Sequence, residues 1–201
     1  MQLYFIRHGE AQHNIDFTLY GSEAFYYPRN RFSPLTTKGI IQSIKLAEER
    51  PDVDLVITSC LPRTLLTSQI VFGNVEKLPI YVSDLVRETN FHHPCNERRS
   101  MSEINMSYPS FDLSNLKHDK DIIFQSGQDN LEERCRELTQ WLCLLDKQGH
   151  RKVAIVTHLT FMEKYLEFMG NNVVKLENCQ IWSTTLNQLL NGSLSIYQSK
   201  N

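Results

Sequence analysis

Two histidines of this chain, His8 and His158, each follow directly after a short apolar run, and two arginines accompany them. Arg7 precedes His8, and Arg63 comes a few residues after a third apolar run. Guanidinium groups match the paired oxygens of a phosphoryl group, and a neutral imidazole has a lone pair that can attack phosphorus. These residue types predict phosphoryl transfer at a local cationic pocket.

Covalent catalysis at His8 is the chemistry that such a pocket favours. Neighbouring cations disfavour the imidazolium, so a neutral ring should persist at physiological pH. Attack on phosphorus would form an N-phosphoryl intermediate that water later cleaves, and the arginines would meet the charge on the equatorial oxygens. The leaving oxygen needs a proton, and Glu88 is the candidate acid because it follows the apolar run Pro79–Ser83. Gly9 is expected to let the backbone approach the ligand closely.

The apolar runs that carry these residues are typical of buried strands, since they are short and bounded by turn residues. The predicted strands are Gln2–Ile6, Asp54–Thr58 and Lys152–Thr157, with weaker candidates at Pro79–Ser83 and Ser193–Gln198. Ligands of open α/β sheets bind beyond the carboxyl ends of the strands. The two histidines and two arginines are therefore expected together at one edge of the sheet.

Four helices are predicted between the strands. Thr36 can cap a helix that stops before Pro51 and presents Ile40, Ile44 and Ala47 on one buried face. The other helices span Leu61–Phe72, the stretch between Asp129 and Gly149, and the region from about His158 to Phe168. Strands alternating with helices predict an α/β fold, a single-domain three-layer α/β/α sandwich over residues 1–201 with a mostly parallel central sheet.

Two long stretches, Asp16–Pro34 and Glu88–Lys120, do not follow this alternation. Long loops in a compact domain tend to be functional or mobile, and these would rim the pocket and select the substrate. The residues predicted to bind a second anionic group of the substrate are Arg29, Arg31, Arg98 and Arg99. Each of these arginines could equally be a charge that faces water.

Composition limits the other functions that the chain could have. The formal net charge is −2, so no overall positive field would attract nucleic acid or an acidic membrane. The five cysteines are scattered without CxxC pairs, which favours a reduced, cytoplasmic protein over a disulfide scaffold or a zinc site. The adjacent His92 and His93 point to different sides and have no carboxylate or cysteine partners nearby in sequence. We expect neither a metal nor an organic cofactor, and the oligomeric state is not predicted.

Several blocks of the sequence resemble the histidine phosphatase superfamily, in its phosphoglycerate mutase-like branch 1. They are LYFIRHGEAQHN (Leu3–Asn14), LTTKGIIQS (Leu35–Ser43), TSCLPRTLLTS (Thr58–Ser68), the Arg87-Glu88 pair, VTHLTF (Val156–Phe161) and Glu177–Cys179. One RHG triplet is weak evidence, whereas blocks in the family's order over nearly the whole chain are strong. The resemblance implies a phosphoglycerate mutase-like fold, with His8 as the phosphoryl acceptor and Glu88 as the acid. The phosphate-binding residues that it implies are Arg7, Asn14, Arg63 and His158, of which Arg7 and His158 also take part in catalysis.

Two departures from the family pattern bear on the activity. Leu159 follows the second histidine, where relatives commonly have glycine, and its side chain could reshape that wall of the pocket. The longer insert that cofactor-dependent mutases carry after the acid is absent, which favours a phosphomonoester hydrolase acting on a small phosphorylated substrate. The alternatives are a cofactor-dependent phosphoglycerate mutase and a catalytically silent binding protein on the same fold.

Overall fold

A sheet of five strands organises the computed structural model, which describes residues 1–89 and 92–198. The strands are β1 (Gln2–Arg7), β2 (Leu55–Ser59), β3 (Ile80–Ser83), β4 (Lys152–Thr157) and β5 (Ile181–Thr185). Their order across the sheet is β3-β2-β4-β1-β5, and β5 alone of these runs antiparallel to its neighbour. The carboxyl ends of β1, β2 and β4 therefore lie at the same edge.

Helices connect the strands and continue the chain after β5. They are α1 (Gln12–Tyr20), α2 (Thr37–Glu49), α3 (Pro62–Phe72), α4 (Met101–Ser107), α5 (Ile122–Ser126), α6 (Leu131–Lys147), α7 (Leu159–Phe168) and α8 (Leu186–Gln198). Thr36 caps α2 as predicted, because its side chain accepts a hydrogen bond from the backbone nitrogen of Gly39. Pro62 occupies the first turn of α3, where its missing N–H leaves no bond unmade.

Successive residues of the strands enter two different cores, one on each face of the sheet. On β2, Leu55 and Ile57 pack on one face, whereas Val56 packs on the other. The first core takes its helical side chains from α6, α7 and α8, and the second takes them from α2, α3 and α4. This arrangement is the predicted three-layer α/β/α architecture.

One predicted strand is wrong. Ser193–Gln198 lies in the second half of α8. Alternating apolar residues in a short segment do not distinguish a strand from a helix. The start of α8 decides the matter, because Leu186 and Leu189 are buried against the first core at helical spacing.

The buried face of α2 also differs from the prediction. Ile40 and Ile44 are 36% and 49% exposed, and the buried residues of the helix are Gly39, Ser43 and Leu46. The small residues face inward because the first turn of α2 packs against the backbone of the RHG segment, as described below. The apolar residues of α2 therefore lie on its exposed side and do not indicate which face is buried.

The stretch predicted as irregular between Asp16 and Pro34 begins inside α1 and continues through two 3₁₀ turns, Gly21–Tyr26 and Pro28–Asn30. Helix α1 carries no apolar stripe, and the residues that it buries are His13 and Asp16. The second predicted loop contains α4, and its residues 90 and 91 lie outside the described part. None of the helices in residues 1–89 and 92–198 is both long and apolar enough to span a bilayer.

Candidate active site

His8 and His158 meet at the carboxyl edge of the sheet because β1 and β4 are parallel neighbours. Arg7 pairs in register with Thr157, and the backbone nitrogen of His8 donates to the carbonyl of Thr157 at 3.1 Å. The centroids of the two imidazole rings are 5.1 Å apart. The neighbouring strand β2 leads into α3, whose second residue is Arg63. The predicted gathering of these groups is thus present.

Gly9 makes a close contact within the chain, and its approach to a ligand stays a prediction. A Cβ added to Gly9 would lie 2.6 Å from the carbonyl oxygen of Gly39, and one added to Gly39 would lie 2.0 Å from the carbonyl oxygen of Glu10. The two glycines let the first turn of α2 pack directly on the segment that follows His8. The backbone approach that requires glycine is therefore to a helix of the same chain.

The hydrogen bonds of His8 select one tautomer of its ring. Nδ1 lies 2.7 Å from the carbonyl oxygen of Gly9, which can only accept, so Nδ1 carries the ring proton. Nε2 is then left with its lone pair, and Nε of Arg63 donates to it at 3.3 Å. Nε2 is the nitrogen placed to act as a nucleophile.

His8 is held in the neutral state by its surroundings. Burial lowers the pKa of this imidazole well below its ordinary value of 6.5, and the charges of Arg63 and Arg7 lower it further. The ring is 2% exposed. A nucleophilic imidazole must be unprotonated, and here burial and charge act in the same direction.

Arg63 is oriented by a turn that lies far away in sequence. Its Nη1 donates to the carbonyl oxygen of Cys95 at 2.6 Å, and its Nη2 donates to Oδ1 of Asn96 at 2.9 Å. Asn96 in turn donates from Nδ2 to the carbonyl oxygen of Thr89 at 2.6 Å. The guanidinium is wholly buried, so these contacts fix the plane in which it faces His8.

Arg7 and His158 each carry a buried nitrogen that has no hydrogen-bond partner among the described residues: Nε of Arg7 and Nδ1 of His158. The other ring nitrogen of His158 lies 2.8 Å from Oγ of Ser59. When Ser59 donates its hydroxyl proton there, Nδ1 carries the ring proton and becomes a donor. An unsatisfied buried donor destabilises the folded protein by about 1–3 kcal/mol, and an acceptor group bound next to these nitrogens would recover that free energy.

Glu88 lies at the N-terminus of α7. Its Oε1 accepts hydrogen bonds from the backbone nitrogens of Phe161 at 2.9 Å and Thr89 at 2.8 Å. Thr157, at the end of β4, donates to the carbonyl oxygen of Val86 at 2.6 Å and so ties the preceding segment to the sheet. Burial raises the pKa of Glu88, and the backbone hydrogen bond from Thr89, the charge of Arg63 and the backbone bonds from the helix N-terminus offset only part of that effect. A raised pKa suits a carboxyl group that must carry a proton to give.

Asn14 faces its neighbour His13 in the first turn of α1. Its Oδ1 accepts from the backbone nitrogen of Ala11 at 2.9 Å, and its Nδ2 lies 3.2 Å from Nε2 of His13. His13 is 6% exposed, and its ring centroid is 5.9 Å from that of His8. Asn14 thus lies one residue from a ring that packs on the candidate nucleophile.

Arg63 and Glu88 line one cavity and Arg7 and Asn14 line another, whereas His8 and His158 line neither of them. The smaller, of about 90 Å³, contains Arg63 and Glu88 together with His13, Phe25, Thr89, His93, Cys95, Asn96 and Thr160. The larger, of about 460 Å³, is lined by Arg7 and Asn14 among others. His8 lies between the lining residues of the two cavities, because it follows Arg7 in the chain and contacts Arg63. The smaller cavity is well below the ~300–1,000 Å³ of pockets that enclose a drug-sized ligand.

The arginines predicted to bind a second anionic group are already engaged. Arg29 pairs with Asp16 at 2.9 Å, and Arg31 forms two hydrogen bonds to Glu97 at 2.6 and 2.8 Å. Arg99 pairs with Glu103 at 3.1 Å. None of these arginines lines the 90 Å³ cavity.

Arg98 is a correction to the prediction, because it is 3% exposed and neither faces water nor lines that cavity. Its Nη atoms donate to four backbone carbonyls, those of Arg99, His118, Asp119 and Lys120. Its backbone nitrogen also donates to the carboxylate of Asp121. The guanidinium therefore holds the chain around residue 119 in place.

Several residues of the smaller cavity were missed by sequence reasoning. Phe25 and His93 stack with ring centroids 4.8 Å apart, and neither was among the predicted site residues. A signal existed for His13 alone, since it precedes the motif residue Asn14.

Over residues 1–89 and 92–198, the structure contains no group of three or more His, Cys, Asp or Glu side chains that could hold a metal ion.

The fold and this edge of the sheet define a class of protein, an α/β protein that gathers histidines and arginines beyond its parallel strands. The family model of the histidine phosphatase superfamily (branch 1) matches residues 3–195, and the chain belongs to that superfamily. It is 24% identical to a phosphoglycerate mutase-like protein of Arabidopsis thaliana, over 92% of this chain and 83% of that protein.

Solved structures share the fold at lower identity. The alpha-ribazole phosphatase from Shigella flexneri aligns with a TM-score of 0.61 and 21% identity, covering 94% of this chain and 92% of the other. A phosphoserine phosphatase mutant from Entamoeba histolytica aligns with a TM-score of 0.56 and 20% identity, covering 90% and 89%. The predicted family and fold are therefore confirmed.

Proposed function

We propose that the protein hydrolyses small phosphomonoesters through a phosphohistidine at Nε2 of His8. The observation that carries the proposal is the pair of unpartnered buried nitrogens, Nε of Arg7, the residue before the neutral His8, and Nδ1 of His158, whose ring centroid is 5.1 Å from that of His8. Oxygens of a phosphoryl group would satisfy both donors. Arg63 and the amide of Asn14 complete the proposed phosphate site.

In the first step, Nε2 of His8 attacks phosphorus while the bond from phosphorus to the ester oxygen breaks. Glu88 gives its proton to the leaving oxygen, so an alcohol departs and the carboxylate remains. In the second step, that carboxylate takes a proton from water as the water oxygen attacks phosphorus. Orthophosphate leaves, His8 is regenerated, and Glu88 carries its proton again.

Trapping of the intermediate tests the proposal. Brief mixing with a ³²P-labelled phosphomonoester should label the protein in a form that is stable to base and labile to acid, as expected of phosphohistidine. His8→Ala should abolish both labelling and turnover. His150→Ala is the matched control, because His150 lies just before β4, at the opposite end of that strand from His158. Full turnover by His8→Ala would refute the proposal.

The fate of the phosphoryl group distinguishes a hydrolase from a mutase. Release of orthophosphate from 3-phosphoglycerate or other esters supports hydrolysis, whereas conversion of 3- to 2-phosphoglycerate that depends on 2,3-bisphosphoglycerate supports a mutase.

A further inference from the structure

His13 is a buried histidine that the proposed reaction does not use, although it lies in the smaller cavity and packs on His8. Both of its ring nitrogens are engaged. Nδ1 lies 3.0 Å from Oγ of Ser33, and Nε2 lies 3.2 Å from Nδ2 of Asn14. A proton donor or nucleophile needs a ring nitrogen that can reach the substrate, so neither role suits this residue.

The roles of the two nitrogens follow from the bonds of Asn14. The backbone nitrogen of Ala11 can only donate, so the atom of the Asn14 amide that faces it is the oxygen. The amide nitrogen therefore faces His13 and donates to Nε2. Nδ1 of His13 then carries the ring proton and donates to Ser33. Burial, with the charge of Arg63, lowers the pKa of His13 well below 6.5 and keeps Nε2 available as an acceptor.

We propose that His13 is a positioning residue, whose Nε2 fixes the amide of Asn14 so that the second N–H of that amide meets a phosphoryl oxygen. The inference rests on the proposed function, in which Asn14 binds the phosphoryl group. Without the bond from His13, the amide keeps only its bond to Ala11 and can rotate about its last torsion. The phosphate site would then lose one preorganised donor.

Two substitutions separate the nitrogens of the ring. The side chain of glutamine can place an acceptor near the position of Nε2, whereas that of asparagine reaches only to the position of Nδ1. His13→Gln thus retains a partner for Asn14 and loses Ser33, and His13→Asn retains Ser33 and loses Asn14. Each variant loses one buried hydrogen bond, so a merely structural role would affect the two alike.

Orthophosphate binding, measured by isothermal titration calorimetry, is the readout that does not require turnover. We expect His13→Asn to weaken it about tenfold or more, the effect of losing one hydrogen bond to a charged group, and His13→Gln to retain most of the affinity. The values of kcat/KM for p-nitrophenyl phosphate should follow the same order. In an Asn14→Ala background, His13→Asn should have little further effect.

Three results would overturn the inference: equal losses in the Gln and Asn variants, unchanged phosphate affinity in His13→Asn, or an undiminished effect of His13→Asn when Asn14 is absent. Thermal unfolding of each variant identifies any loss that comes from misfolding. A wild-type protein that binds orthophosphate but forms no phosphohistidine would refute the proposed function and leave the test of His13 intact.

Discussion

Nε of Arg63 donates a hydrogen bond to Nε2 of His8 at 3.3 Å, although the two residues lie 55 positions apart in the chain. A permanent cation thus faces the lone pair that would attack phosphorus. Protonation of that nitrogen would place two positive groups in contact, which raises the free energy of the imidazolium. The same guanidinium can meet negative charge as it develops on the phosphoryl oxygens.

Replacement of Arg63 should change both the rate and its pH dependence. Arg63→Gln removes a preorganised donor, and we expect kcat/KM to fall about 10²–10³-fold. The pKa of His8 should rise, because one of the charges that lower it is lost. The residual activity should therefore decline at a higher pH on the acid side than that of the wild type. An acid limb that does not move would show that the guanidinium has no effect on the imidazole.

The alkaline side of the pH profile should report Glu88. The acid must be protonated, so kcat/KM should fall as pH rises through the raised pKa of this carboxyl. Glu88→Gln cannot give a proton, and its remaining activity should lack that limb. The loss should be smaller with p-nitrophenyl phosphate than with an alkyl phosphate, because nitrophenolate leaves without a proton. Equal losses with both substrates would assign Glu88 another role.

Three buried histidines should make stability depend on pH. The pKa values of His8, His13 and His158 are all well below 6.5 in the folded protein, so the unfolded chain binds more protons as pH falls below about 6.5. The free energy of unfolding should therefore rise with pH in that range, by up to about 4 kcal/mol per pH unit for three protons. Glu88, whose pKa is raised, opposes this by at most one proton.

Urea unfolding between about pH 5.5 and 7.5 measures that slope, since denaturant midpoints report stability directly. His8→Gln removes one of the protons and should flatten the dependence. A stability that is constant across the range would mean that the folded and unfolded chains bind the same number of protons, so that folding does not hold the imidazoles neutral.

Arg98→Ala should be strongly destabilising, because it removes a buried guanidinium whose four hydrogen bonds hold the carbonyls of Arg99, His118, Asp119 and Lys120 in place. We expect a loss of about 3 kcal/mol in the free energy of unfolding. Arg99→Ala is the matched control, since its side chain is exposed and its ion pair with Glu103 contributes little. Calorimetric melting of both variants compares them. Equal melting temperatures would remove the structural role assigned to Arg98.

Exhaustive chelation should leave the activity unchanged, because guanidinium and imidazole groups supply the positive charge at the site. Phosphate release is measured before and after dialysis against EDTA. Loss of activity that returns on addition of zinc or magnesium would instead indicate a metal-dependent phosphatase.

The position of the residues that directly follow the strands could be predicted from the sequence. The apolar runs before His8 and His158 are regular enough to place both residues at one edge of a sheet, and β1 and β4 are indeed neighbours. The hydrogen bonds that orient Arg63 could not be predicted, because Asn96 reaches the guanidinium from an irregular turn 33 residues further along the chain. The inward face of α2 was mistaken for the same reason, since Gly39 is buried by a contact with Glu10 that no periodic pattern encodes.

The burial of the site bears on how long a phosphorylated form of this protein would last. His8 is 2% exposed, and Arg63 and His158 are wholly buried. A phosphoryl group on Nε2 of His8 would be shielded from bulk solvent for as long as the surrounding segments keep this arrangement. Its lifetime would then be set by the admission of a single water molecule. An alcohol that entered before water would accept the phosphoryl group and leave as a new ester. The balance between hydrolysis and transfer would therefore depend on which of the two molecules can reach His8.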